Sequence, residues 1–124
     1  MVRFAVLVIS LYLLVACQSP EEKGEALLVA AEEGEAVSAD DLLQSGAMVD
    51  ARDDCRFTPL MKAALNGHLE VVDRLILFGA ELEAADKAGY TPLLLAATNG
   101  HSEVIQRLLN EGANPNHVEH SNGW

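Results

Sequence analysis

Two cysteines and four histidines are the side chains of this chain best suited to chemistry. His68 and His101 stand 33 residues apart, each in an Asn-Gly-His triplet, and a recurring triplet points to a repeated turn. His117 and His120 are three residues apart. A metal site takes three or four ligands, and no other Cys or His stands near them in the chain, so no metal is expected. Cys17 ends a run of mostly apolar residues. Cys55 is then left alone, and an odd cysteine suggests either a reactive thiol or an intermolecular bond; the plainer reading is an exposed thiol without a role. There is no Gly-rich phosphate loop and no G-x-S-x-G. The carboxylates are plentiful, but a carboxylate run is usually a solvated face. No catalytic constellation and no cofactor emerge, so an enzyme is not expected. The chain has 19 acidic and 8 basic residues and a net charge of −11, which argues against nucleic acid, because phosphate binding needs Lys and Arg.

The elements that position these residues follow from a repeat. TPLMKAALNGHLEVVDRLILFGA (58–80) returns as TPLLLAATNGHSEVIQRLLNEGA (91–113), and 14 of 33 aligned residues are identical. A period of 33 indicates a repeat architecture. Thr58 and Thr91 are good N-caps, with Pro59 and Pro92 at the first helical position, where no N–H is needed. Leu93, Ala96 and Ala97 give the first helix an apolar face with little bulk. Asn99–Gly100 ends it. Glu103 opens a second helix at its positive end, and Val104, Ile105, Leu108 and Leu109 form a buried stripe that Gly112 stops. Gly67, Glu70, Val71, Val72, Leu75, Ile76 and Gly79 hold the same places one unit earlier.

The TPL, AA, NGH and E-V motifs and the closing Gly-Ala pair resemble the ankyrin repeats, over about residues 25–124. The resemblance implies an all-α fold, an ankyrin-repeat solenoid of helix-turn-helix units joined by β-hairpin-like loops. One departure is that the His usual after TPL is Met61 in one unit and Leu94 in the other. That His commonly helps lock the turn, so slightly looser units are expected.

Residues 1–16 carry one charge, Arg3, before the run from Phe4 to Ala16, which is too short to span a bilayer comfortably and fits a signal-peptide hydrophobic region. Leu14–Val15–Ala16–Cys17 is similar to a bacterial lipobox, in which the Cys is acylated and becomes the new N-terminus. The alternatives are an ordinary signal peptide with a coincidental Cys, or an uncleaved anchor. Gln18 in place of Asp leans, by analogy with enteric bacteria, toward the outer membrane. Two or more acyl chains give a stable anchor. The expected organisation is a signal peptide at 1–16, acylated Cys17 with a polar linker at 17–24, a degenerate repeat at 25–57, and repeats at 58–90 and 91–124.

In the degenerate unit, Glu25–Ala26 replaces Thr-Pro and Ser38–Ala39 replaces the apolar pair of the stripe. Eleven acidic residues lie between Glu21 and Asp54. That polarity fits a solubilising terminal unit; the other reading is a docking surface in its own right. After Asn116 the third unit gives HVEHSNGW, where the pattern would next call for TPL. The sequence therefore leads us to expect a truncated array or a last unit with a partly exposed face, with modest stability.

Ankyrin arrays resemble one another in binding through a concave surface of loop tips and first helices. Phe57, Tyr90 and Trp124 each close a unit just before the TPL position and would form an aromatic stripe; aromatic anchors are enriched among interface hot spots. The alternative is that each packs only on its own loop. Lys62, Leu65, Asn66, Lys87, Leu95, Thr98 and Asn99 are expected on the same side. The functional expectation is a membrane-anchored module of the bacterial envelope, facing the periplasm, that binds a protein partner, with the acidic surface favouring a basic one. The alternative is an inhibitor or immunity protein that blocks an envelope enzyme or toxin.

Overall fold

The computed structural model describes residues 19–116. Six helices follow one another in three pairs: α1 (Pro20–Glu33) with α2 (Ala36–Gln44), α3 (Pro59–Asn66) with α4 (Leu69–Leu77), and α5 (Pro92–Thr98) with α6 (Ser102–Asn110). No strand occurs among the described residues. The chain is thus an all-α solenoid of helix-turn-helix units. Cys17, Trp124, His117 and His120 lie outside the described residues.

The Thr-Pro starts behave as their chemistry dictates. Thr58 Oγ1 accepts from Met61 N at 3.3 Å and Thr91 Oγ1 from Leu94 N at 3.4 Å. Both threonines are buried, and a buried hydroxyl is tolerated because it is paired. The first unit starts differently. Ser19 caps α1, its Oγ accepting from Glu22 N, while Glu22 reaches back to the Ser19 N–H. This is a capping box, with Pro20 at the first helical position. Residues 20–24, expected to be a linker, are therefore the opening turns of α1, and the first unit begins upstream of Glu25.

The first helices α1, α3 and α5 stack side by side, and α2, α4 and α6 form a second layer behind them. Ala30, Ala31, Ala63, Ala64 and Ala96 let the first helices approach closely, and all are buried. Leu27, Leu60, Val71, Val72, Leu75, Val104 and Leu108 fill the space between the layers. Each such side chain contributes about 1.5–3 kcal/mol on burial. In the first unit Ala39, Leu42 and Leu43 make a thinner stripe. Glu21, Glu22, Glu25, Glu32, Glu33, Glu35 and Asp41 are all exposed there, as a polar terminal unit requires.

Each junction between units is closed by the same contacts. His68 Nε2 meets the Glu32 carbonyl at 3.0 Å, and His101 Nε2 meets the Leu65 carbonyl at 3.0 Å. A carbonyl only accepts, so Nε2 carries the proton in both rings. The rings lie on Gly34 and Gly67, where a Cβ would come within 2.5 and 2.4 Å of the imidazole. Behind them, Arg74 pairs with Asp40 at 3.9 Å and Arg107 with Asp73 at 2.5 Å. The Asn-Gly-His histidines are structural, as their spacing indicated.

Candidate functional site: the loop rim and the first helices

Two loops carry the aromatic residues, and both are built by an aspartate. Asp53 Oδ1 accepts from Cys55 N and Phe57 N, each at 2.9 Å. Asp86 Oδ1 accepts from Ala88 N and Tyr90 N, again each at 2.9 Å. Backbone bonds from Asp53 N to Phe57 O and from Asp86 N to Tyr90 O, both 3.1 Å, close the loops into hairpin-like turns. The loops are also tied to each other. Arg52 Nη1 donates to Arg56 O and across the junction to Ala85 O, both at 2.9 Å, and Lys87 N donates to Cys55 O at 3.3 Å. Sequence reasoning missed Asp53, Asp86 and Arg52. The signal was present: both aspartates precede the aromatic residue by four places and repeat at 33.

Beneath the rim, Met61, Ala84 and Leu95 form a second buried cluster, with Phe57 and Leu65 packed at its edge. Leu95 is 6 % exposed. It supports the rim from below and is not part of the contact surface on which the sequence placed it. Lys62 Nζ lies 5.0 Å from the Phe57 ring centroid and 3.2 Å from Asp53, with Glu32 at 3.9 Å. A cation held over an aromatic face gains about 0.5–2 kcal/mol, depending on desolvation. Lys62 thus fixes the Phe57 ring against its loop. Burial works against the charge of Asp53, but the Phe57 N–H, the Lys62 ammonium and the Cys55 N–H outweigh it and hold the carboxyl below its ordinary value of 3.8.

The remaining candidates divide. Tyr90 is 45 % exposed, the most open aromatic among the described residues. Lys87 is exposed at the loop tip. Asn66 and Thr98 are exposed, and their side chains donate to the carbonyls of Lys62 and Leu94. Asn99 Nδ2 donates across the junction to the Leu65 carbonyl at 2.8 Å. The structure therefore brings Phe57, Lys62, Lys87 and Tyr90 to the rim, while Leu65 packs on the cluster beneath it and Asn66, Thr98 and Asn99 sit at the far ends of the first helices. Cys55 is an exposed, free thiol on the first loop.

Among the described residues no group of three or more His, Cys, Asp and Glu side chains converges as metal ligands. No helix among them is long and apolar enough to cross a membrane. The family described as ankyrin repeats, in three copies, matches residues 27–119. The chain belongs to the ankyrin-repeat family. Ankyrin repeats are generally protein–protein interaction modules and are typically non-enzymatic, and the paired loops and stacked first helices here are the ankyrin arrangement in a short array. No curated protein matches the chain.

Proposed function

We propose that this ankyrin array is a protein-binding module of the bacterial envelope, held at a membrane by lipid on Cys17 and facing the periplasm, with the outer membrane favoured. The observation that carries the binding surface is the shared construction of its two loops. Asp53 and Asp86 present Phe57 and Tyr90 at one rim, above a common apolar cluster. Rigid aromatic side chains on a braced rim lose little entropy on binding and make good anchors. The rim loops carry Arg52, Arg56 and Lys87 beside Asp53, Asp54 and Asp86, and further exposed acidic side chains lie on α1 and α2. Attraction for a basic partner would come from the first unit, beside the aromatic contact. The tether rests on the Leu14–Cys17 pattern. Only Gln18 and Ser19 separate Cys17 from α1, so a lipid there would hold the first unit within about 10 Å of the headgroups at ~3.5 Å per residue.

The test is capture from crosslinked cells of the native host, comparing wild type with Phe57→Ala/Tyr90→Ala. One envelope protein caught by wild type and lost in the double variant supports the reading, and assaying that protein's activity separates an adaptor from an inhibitor. Equal capture by both forms removes the aromatic rim from the site. Fatty-acid labelling that survives Cys17→Ser would remove the tether.

A further inference from the structure

The basic residues of the array divide into two groups. Lys62, Arg74 and Arg107 pair with carboxylates, and Lys23 donates to the Ser45 carbonyl at 2.7 Å. The other basic residues among those described are Arg52, Arg56 and Lys87. All are exposed on the two rim loops, and no carboxylate among the described residues pairs with them. The loops hold them close together. Arg52 reaches the Arg56 and Ala85 carbonyls, and Lys87 N donates to Cys55 O, next to Arg56. The 33-residue pattern calls for none of them: Ala85, Gly89 and Asp54 stand at the matching places in the other loop.

Arg52 and Arg56 are each set up in a way the frame alone does not explain. Arg52 commits Nη1 to the two carbonyls, each at 2.9 Å, which fixes its guanidinium between the loops. Its Nε and Nη2 donors make no bond among the described residues. The Nε–H and the Nη2–H beside it run parallel, and that fork takes both oxygens of one carboxylate. Arg56 sits at φ +65°, the left-handed region that Gly89 occupies in the next loop at +87°. A side chain there costs strain, yet its guanidinium makes no bond among the described residues. The neighbouring carboxylates are mostly committed. Asp53 accepts from two N–H groups and pairs with Lys62, and Asp86 accepts from two N–H groups. Asp54 is exposed. The rim is thus near neutral on a chain of net charge −11. It suits one carboxylate that matches the fork, whereas a polyanion would meet the negative field of the whole chain.

We propose that the rim seats the carboxylate of a glutamate or aspartate side chain of the partner protein, held at two points by Arg52 Nε and Nη2 with Arg56 and Lys87 beside it, and with an apolar neighbour of that residue against Tyr90. The inference rests on the rim as the partner contact and names the chemistry of that contact. It does not depend on the lipid. Any basic portion of the partner belongs over α1 and α2, whose exposed charged side chains are mostly acidic. The partner then presents both signs of charge to one array, which fixes its orientation as well as its attraction.

Nuclear magnetic resonance of the full chain resolves weak binding of this kind, in a non-ionic detergent that shields the apolar residues 4–16. The probe is the blocked dipeptide acetyl-Phe-Glu-amide. Acetyl-Phe-Gln-amide and inorganic phosphate are titrated separately at matched ionic strength. The Glu probe should shift the Arg52 Nε–H signal and the Arg56 and Lys87 amides. It should bind roughly fivefold more tightly than the Gln probe, the upper end for an exposed ion pair. Arg56→Gly/Lys87→Gln relieves the strained position and changes only exposed side chains; it should weaken the Glu probe by a similar factor with the core amides unmoved. Equal binding of the Glu and Gln probes overturns the proposal, as does an Arg52 Nε–H signal that stays still, or full binding by the double variant. Phosphate bound more tightly than the Glu probe overturns the choice of a carboxylate. The capture experiment fails separately. A partner lost from Phe57→Ala/Tyr90→Ala while the Glu probe leaves Arg52 untouched keeps the rim and sinks the carboxylate, whereas a bound Glu probe with equal capture keeps the carboxylate seat and removes the aromatic side chains from the contact.

Discussion

Replacing Gly67 by alanine should be costlier than replacing Gly100, although the two glycines have nearly the same backbone. Their φ angles are +73° and +69°, so alanine pays the same left-handed penalty at each, about 1–2 kcal/mol. Their surroundings differ. A Cβ at Gly67 would lie 2.4 Å from His101 Nδ1, whereas at Gly100 it meets nothing within 4 Å among the described residues. No contact at 2.4 Å survives, so the ring must leave its seat. It then gives up the 3.0 Å bond to the Leu65 carbonyl, about 0.5–1.5 kcal/mol net, together with its packing on the junction. Gly67→Ala should therefore cost roughly 2–4 kcal/mol and Gly100→Ala about 1–2. Urea denaturation followed by circular dichroism measures both. His101→Ala removes the ring in advance, so in that background the excess cost of Gly67→Ala should vanish, and the double-mutant cycle returns the coupling. If the two glycine variants agree within about 0.5 kcal/mol, or if the cycle shows no coupling, the histidine does not hold the junction and the reasoning fails.

Core and surface leucines should separate cleanly: Leu75→Ala, in a fully buried position, should cost about 2–5 kcal/mol, whereas Leu77→Ala, 73 % exposed, should leave the denaturation midpoint unchanged. Thr58→Ala removes a buried cap and should cost about 1 kcal/mol in the same assay. Arg56 has φ +65° where the next unit has Gly89; Arg56→Gly should raise stability by up to about 1 kcal/mol, and any loss of captured partner would show that the strain is kept for binding. Because the folded Asp53 carboxyl lies below 3.8, its contribution is present above that value and fades as pH falls through it toward the folded value. The acid limb of the wild-type stability curve should therefore be steeper than that of Asp53→Asn, and superimposable limbs would remove Asp53 from the loop.

The fold was legible because a repeat states each instruction more than once. Thr-Pro starts, Asn-Gly stops and apolar stripes recur at 33 residues, so one unit corroborates the next, and α3 to α6 fall where those signals put them. The start of α1 was missed for the opposite reason. Aligning the first unit to its neighbours sets its beginning at Glu25, but its helix is not bounded by the repeat. It is bounded by Ser19, Pro20 and Glu22, a local capping box that owes nothing to the period. Local chemistry prevailed over the alignment, and a polar stretch that looks like a linker became helix.

The rim was half legible. Phe57 and Tyr90 could be paired from their spacing, but the alignment cannot say which side of a helix is covered by a neighbouring unit. Leu95 therefore passed for a contact residue when it lies beneath the rim. The junction explains the remaining gap. His68 and His101 were conspicuous because they repeat, while Glu35, Asp41 and Gln106 were silent because a changed residue in a degenerate unit looks like drift. They acquire meaning only once His101 is seen to cross to the Leu65 carbonyl and Arg107 to Asp73, for then each substitution removes one named half of a contact. Glu35 stands where His68 and His101 stand and Asp41 where Arg74 and Arg107 stand, so the first unit has lost its donors, while Gln106 replaces the carboxylate of Asp40 and Asp73 in the third.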